Sequence, residues 1–165
     1  EDATRELRGE EVKHDVDPDL SFDVDALLPE DYIAEVGVRL SLYKRLASAQ
    51  DTAEVQQIGA EMEDRFGPAP TEAVAMVELM RLKTELRALR ALGCEASAKI
   101  VTLHLAQDTP LDPIAIGDLV ADRHSGYRLT PDMRLSRRAK PGEAPKDGLE
   151  LCDRMLEELS SCLRK

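Results

Sequence analysis

The chain has 165 residues, 42% hydrophobic and 33% charged, and a domain of that size buries roughly 70% of the surface its unfolded form exposes. With 3% aromatic residues and no Trp, the core must be built from Leu, Val, Ile, Ala and Met, which favours helices. The net charge of −11 disfavours phosphate backbones over the molecule as a whole and suits a basic partner surface, and no apolar run approaches the roughly 20 residues that cross a bilayer.

Residues 1–19 are charged without a clear period, as in a lead-in or the end of a preceding module. The opening EDATRELRGEEV is neither a signal peptide nor a Met start, so a piece of a longer chain is expected. LSFDVDALLP then alternates, with Leu20, Phe22 and Val24 opposite Ser21, Asp23 and Asp25, which predicts a half-buried strand near 20–27. Pro29 opens a predicted helix over 30–49, with Glu30 and Asp31 in its first turn. Its apolar line is Ile33, Val36, Leu40, Tyr43 and Ala47, and Arg39, Lys44 and Arg45 lie toward its C-terminal end. Asp51 or Thr52 caps a second helix, with Glu54 in the first turn and Val55, Ile58, Met62 and Phe66 facing inward. Glu54, Gln57, Glu61 and Asp64 fall within about a quarter of its circumference, off that line. Gly67 supplies a left-handed stop and Pro68 bars continuation. Pro70 or Thr71 starts a third helix, with Leu79, Leu82, Leu86 and Leu89 as its seam and Gly93 at its end.

Beyond Gly93 the pattern changes. KIVTLHLA at 99–106 alternates as a strand, PLDPIAIGDLVADR reads as a short helix, and YRLTPDMRLS as a hairpin with Tyr127 and Leu129 facing Met133 and Leu135. AKPGEAPKDG is a loop before a closing helix whose stripe is Leu149, Cys152, Met155, Leu156 and Leu159. The fold class is α+β: a cluster of three N-terminal helices with a small, mainly antiparallel sheet and further helices.

No GxG or GxxxxGK[ST] loop is present, which excludes phosphate cradling by those motifs. His14, His104 and His124 are dispersed, and Cys94, Cys152 and Cys162 form no CxxC pair; all six read as structural or surface groups. Glu61 and Asp64 stand one helical turn apart and could approach a common ion, yet no His accompanies them, and a solvated acidic face accounts for them better than catalysis. Arg81, Lys83, Arg87 and Arg90 interleave with acids as an ordinary charged face. Arg134, Arg137, Arg138 and Lys140 form a modest basic patch without aromatics to stack on bases. The residues by themselves describe a non-enzymatic domain with an acidic helix face.

Three short motifs occur in order: LLPEDYI at 27–33, RLSLYKRLASA at 39–49 and DRFGPAP at 64–70. In that spacing they resemble the C-terminal domain of bacterial transcription-repair coupling factors, closely over 27–93 and in outline over 94–165. The resemblance implies a large ATP-driven DNA translocase that removes stalled RNA polymerase from damaged templates and recruits excision repair. ATP and Mg would bind in motor modules ahead of this region, with no cofactor or metal here. Residues 1–26 would end the linker from the motor, and 27–165 would be a regulatory domain, helical over 30–93 and mixed over 94–165. That domain is expected to dock on the UvrB-like module of the same polypeptide, masking the UvrA-binding surface and restraining the motor. UvrA, RNA polymerase and DNA would be met through the full-length protein, in the bacterial cytoplasm at the nucleoid, with no membrane involved. The family's docking acids match Glu61 and Asp64, and Glu54 is added here as an extension; Arg65, Phe66, Gly67 and Pro68 would form a structural corner. The alternative is a DNA-contact module using Arg134, Arg137, Arg138 and Lys140, and a third reading is an enzyme built on the acidic pair.

Overall fold

The structure, a computed structural model, describes residues 16–164; His14 and the rest of the charged lead-in lie outside the described residues. A short strand β1 (Asp19–Phe22) precedes three helices, α1 (Val36–Ser48), α2 (Thr52–Phe66) and α3 (Thr71–Ala88). There follow β2 (Ala91–Ala96), β3 (Ile100–Leu105), α4 (Pro113–Ala121), β4 (Tyr127–Leu129), β5 (Arg134–Arg138) and α5 (Gly148–Leu159). The strands form one sheet in the order β1-β2-β3-β5-β4, antiparallel except for the parallel β1–β2 pair. This is the expected α+β class.

Strand alternation divides the sheet into two unlike faces. Cys94, Ala96, Val101, Leu103, Leu105 and Leu135 point inward, where α3 and α5 cover them with Leu82, Leu86, Leu151, Met155 and Leu159. Thr102, Ser136, Arg134 and Arg138 share the opposite face, which no described helix covers, with Ser21 and Glu95. A second core lies among α1, α2 and the N-terminal half of α3, around Leu42, Leu46, Val55, Ile58, Met62, Ala73 and Met80. Leu20 and Leu79 touch both cores, so α3 is a shared wall and the two halves pack as one body.

Several sequence expectations need correcting, beginning with the strand near 20–27, which ends at Phe22. The first helix begins at Val36, not at 30, because the Tyr32 and Ile33 N–H groups close a tight turn onto the Pro29 carbonyl (3.1 and 3.0 Å) and Glu35 is extended. Its buried anchors are Leu42 and Leu46, while Val36 and Leu40 of the expected apolar line are 61% and 62% exposed. The helix carries aliphatic residues all round, so spacing alone does not select the inner face. The third helix ends at Ala88 and not at Gly93: Arg90 takes the left-handed turn (φ 59°), and Gly93 lies inside β2. That strand was not anticipated, since ALGCEA is poor in β-branched residues and carries a register shift between Ala91 and Gly93. In the hairpin, Leu129 does face Leu135, but Tyr127 faces Arg137; Met133 sits in the turn itself with φ 65°.

Candidate functional site

The three sequence motifs meet at one corner of the helical half. The Tyr32 hydroxyl of LLPEDYI donates to the Gly67 carbonyl at 2.8 Å, and its ring meets Phe66 edge-on with centroids 6.0 Å apart. The Tyr43 hydroxyl of RLSLYKRLASA accepts the Leu28 N–H at 2.6 Å. Arg87 reaches from α3 to donate to the Ala49 carbonyl at 3.0 Å, capping the end of α1. The spacing that made the motifs recognisable is therefore the spacing of parts that lock together.

Gly67 stops α2 with φ 87° and ψ −175°, so its φ is positive as expected, but its ψ lies outside the left-handed helical basin. That region is open in practice to glycine alone, and other residues pay about 1–3 kcal/mol to occupy it. Gly67→Ala should therefore lower the urea unfolding free energy by about that much, whereas Tyr32→Phe, which keeps the ring and loses one donor, should cost about 1 kcal/mol. Equal stability of both variants to the native chain would mean the corner is not rigid.

Of the predicted docking acids, Asp64 is exposed and makes no ion pair or hydrogen bond among the described residues. Glu61, one turn earlier, is already engaged. Arg45 of α1 donates to both its carboxylate oxygens (2.5 and 3.1 Å), and Arg65 stands 3.5 Å away. The hydrogen bond from Arg45 and the two positive charges hold the Glu61 carboxyl below the usual range. Glu54 belongs to the helix end: Asp51 accepts the Glu54 N–H at 2.8 Å while the Glu54 carboxylate accepts the Gln50 N–H at 2.6 Å, a reciprocal N-terminal cap. Arg65 also lies over the Phe66 ring, 4.9 Å from its centroid. Together these contacts make a stiff corner that, of the three predicted docking acids, leaves only Asp64 uncommitted among the described residues.

The basic patch is reorganised by folding. Arg137 is 1% exposed and sits under the sheet, not on it. It donates to Glu158 (2.8 and 2.9 Å) and Glu143 (2.8 and 2.9 Å), and Tyr127 donates to Glu158 at 2.7 Å. Arg137 and a backbone N–H bring the Glu143 carboxyl down to about 2. Burial pushes the Tyr127 hydroxyl far up, and its bond to Glu158 adds to this. Arg134, Arg138 and Lys140 are exposed, with Arg134 bound to Asp132 at 3.0 Å. The sequence reading missed Arg128, which pairs across strands with Ser136 and so joins Arg134 and Arg138 on the open face. A cross-strand neighbour is invisible without the register.

Cys94 and Cys152 lie buried with their sulfurs 4.0 Å apart as free thiols; contact with Cys94 and burial push the Cys152 thiol up, away from the reactive thiolate. Among the described residues no three His, Cys, Asp or Glu side chains converge as a metal site would require, and no helix is long and apolar enough to cross a membrane.

A five-stranded mixed sheet backed by two helices and joined to a locked three-helix corner is an α+β domain with its distinctive motifs concentrated at that corner. The chain belongs to the TRCF domain family, whose model matches residues 22–116. It is similar to the transcription-repair-coupling factor of Myxococcus xanthus, 37% identical over 162 residues, which are 98% of this chain and 14% of that protein. The transcription-repair-coupling factor of Escherichia coli K12 is 34% identical over 110 residues, 67% of this chain and 10% of that protein. The chain thus spans a small fraction of the relatives it matches. In three dimensions it resembles the crystal structure of the C-terminal domain of transcription-repair coupling factor, with a TM-score of 0.71 over 92% of this chain and 98% of that one, at 18% identity.

Proposed function

We propose that this domain is a regulatory clamp within a transcription-repair coupling translocase. It docks through the α2 corner on the UvrB-like module of the same polypeptide, covers the surface that recruits UvrA and restrains the motor until RNA polymerase is engaged. The observation that carries this reading is Asp64: an exposed carboxylate without a partner among the described residues, presented by a corner locked on both sides, at the position where the family resemblance puts a docking acid. Glu61 stands beside it, oriented by Arg45, and a basic partner would share it or displace Arg45. Glu54 is committed to its helix end and contributes little.

Removing one member of a desolvated charge pair costs about 2–5 kcal/mol, enough to hold or free a tethered domain. By linkage, UvrA and this domain weaken each other's hold on the shared surface. The chain holds no ATP-binding motif; ATP, Mg and translocation belong to the other modules of the full-length protein.

The test is a titration of this domain against the separately expressed UvrB-like module. Asp64→Arg should weaken binding at least tenfold and leave the thermal midpoint unchanged, because the exposed Asp64 side chain makes no hydrogen bond or ion pair among the described residues. Glu61→Arg is a poorer probe, since it would face Arg45 and Arg65 and loosen the α1–α2 contact. Absence of saturable binding by the native domain, or undiminished binding by Asp64→Arg, defeats the proposal.

A further inference from the structure

We infer that the uncovered sheet face is a sequence-independent contact surface for a nucleic-acid backbone, centred on Arg128 and Arg138. The inference does not depend on the docking reading, which uses the opposite half of the molecule. Arg138 and Arg134 flank Ser136 on β5, and Arg128 is its cross-strand partner on β4, so three arginines neighbour one hydroxyl residue on the same face. Thr102 and Ser136 join their hydroxyls at 3.1 Å in the middle of this face. At the adjoining end of the sheet the Ala139 N–H bonds the Lys99 carbonyl at 2.8 Å, which sets Lys99 and Lys140, both exposed, beside Arg138.

Arg128, Arg138 and Lys99 form no ion pair among the described residues, in a chain of net charge −11, while Lys140 stands near the Glu158 and Glu143 carboxylates. Arg134 is neutralised by Asp132. The concavity beside β4 is lined by Ile100, Gly126, Tyr127, Arg128, Ser136 and Arg138, with no carboxylate among them. The acids of this face, Asp19 and Glu95, lie on β1 and β2 toward the other edge. Unpaired cations gathered away from those acids attract an anion at one edge only.

The chemistry of the face selects the kind of anion. A protein partner is held mainly by buried aromatic or aliphatic anchors, and the edge around Arg128 and Arg138 offers hydroxyls and a half-buried Ile100 in their place, with Leu92 and His104 lying toward β1 and β2. A phosphate backbone needs cations and hydroxyl donors only. The one aromatic ring on this face, the imidazole of His104, stands beside Arg134 toward β2 and away from Arg128, so no stacking platform lies at the cationic edge and the contact reads no sequence. The overall negative charge keeps it weak and short, engaging about 3–4 phosphates.

The experiment is fluorescence anisotropy of a short labelled DNA duplex titrated with the whole chain, from low to moderate salt. Three to four neutralised phosphates give a slope of log K against log salt of about −3. Arg128→Glu with Arg138→Glu should reduce the slope by about two and the affinity at least tenfold, with an unchanged thermal midpoint because neither side chain is packed. Lys44→Glu, an equally exposed cation on α1, should have a much smaller effect. A slope near zero, or equal binding by the double variant, overturns the inference. So does tighter, Arg128- and Arg138-dependent binding to a polyglutamate peptide than to the duplex, which would assign the face to an acidic protein.

Discussion

Arg137→Ala should destabilise the domain by about 3–5 kcal/mol, because truncation leaves two carboxylates gathered around a vacated, water-poor site. The guanidinium is 1% exposed, Glu143 is 14% and Glu158 is 34%, so the charges are only partly relieved by solvent. Arg138→Ala, one residue along the same strand, points to the open face and should fall within about 0.5 kcal/mol of the native chain. Urea unfolding of the two variants side by side is the measurement. A loss below about 1 kcal/mol for Arg137→Ala would show that solvent reaches the site and that the pair is of the exposed kind. Arg137→Met combined with Glu143→Gln and Glu158→Gln should recover much of the loss, since the penalty comes from unpaired charge and the methionine fills the space.

The same network sets the acid limit of the fold. The Glu143 carboxyl titrates at about 2 in the folded chain against an ordinary 4.5, so the folded value is depressed. Its stabilising contribution is complete above the unfolded value of 4.5 and is lost as pH falls from there toward 2. Burial raises Glu158, but the bonds from Arg137 and Tyr127 outweigh it and leave the group lowered, so it adds to the loss in the same direction. The native chain should therefore lose stability steeply across that window, and Arg137→Ala, already without the interaction, should show a flatter profile.

Gly148→Ala should cost about 2–3 kcal/mol, a reversal of the usual gain of about 0.4–1 kcal/mol when alanine replaces glycine in a backbone conformation that both accept. A Cβ at this first residue of α5 would stand 2.7 Å from the Ala96 carbonyl carbon and oxygen and 2.8 Å from Asp23 Oδ1. Neither neighbour can yield cheaply. Asp23 accepts the Gly148 N–H at 2.7 Å and the Ala98 N–H at 3.1 Å, pinning the start of α5 to the β2–β3 turn and complementing the helix dipole. Relief would require α5 to lift from the sheet and open the core around Leu151 and Met155, both fully buried. Thermal melts of Gly148→Ala and Asp23→Asn should both shift downward; a rise for Gly148→Ala would place the helix farther from Ala96 than the structure does.

The sequence by itself determined the elements whose signals are local. Asp51 and Gly67 bound α2, the helix read in PLDPIAIGDLVADR is α4, and the stripe of Leu149, Cys152, Met155, Leu156 and Leu159 is buried as its spacing requires. Caps, stops and a clean apolar period act within a few residues, so they are legible without a fold. The three motifs also identified the family, since they are the parts that lock the corner. Only the tertiary structure decided which side chains are free to act. Glu61, Asp64 and Glu54 look alike along one polar flank, and partners brought from α1 and from the chain before α2 leave Asp64 alone uncommitted. Arg137 and Arg138 look alike in the chain, yet strand alternation sends one under the sheet to Glu143 and Glu158 and the other outward beside Arg128. The buried face of α1 and the strand at Ala91–Ala96 were decided in the same way. The physical reason is common to all of them. Burial and ion pairing are set by neighbours distant in sequence, and a charge written in the chain becomes a surface charge only when no such neighbour claims it.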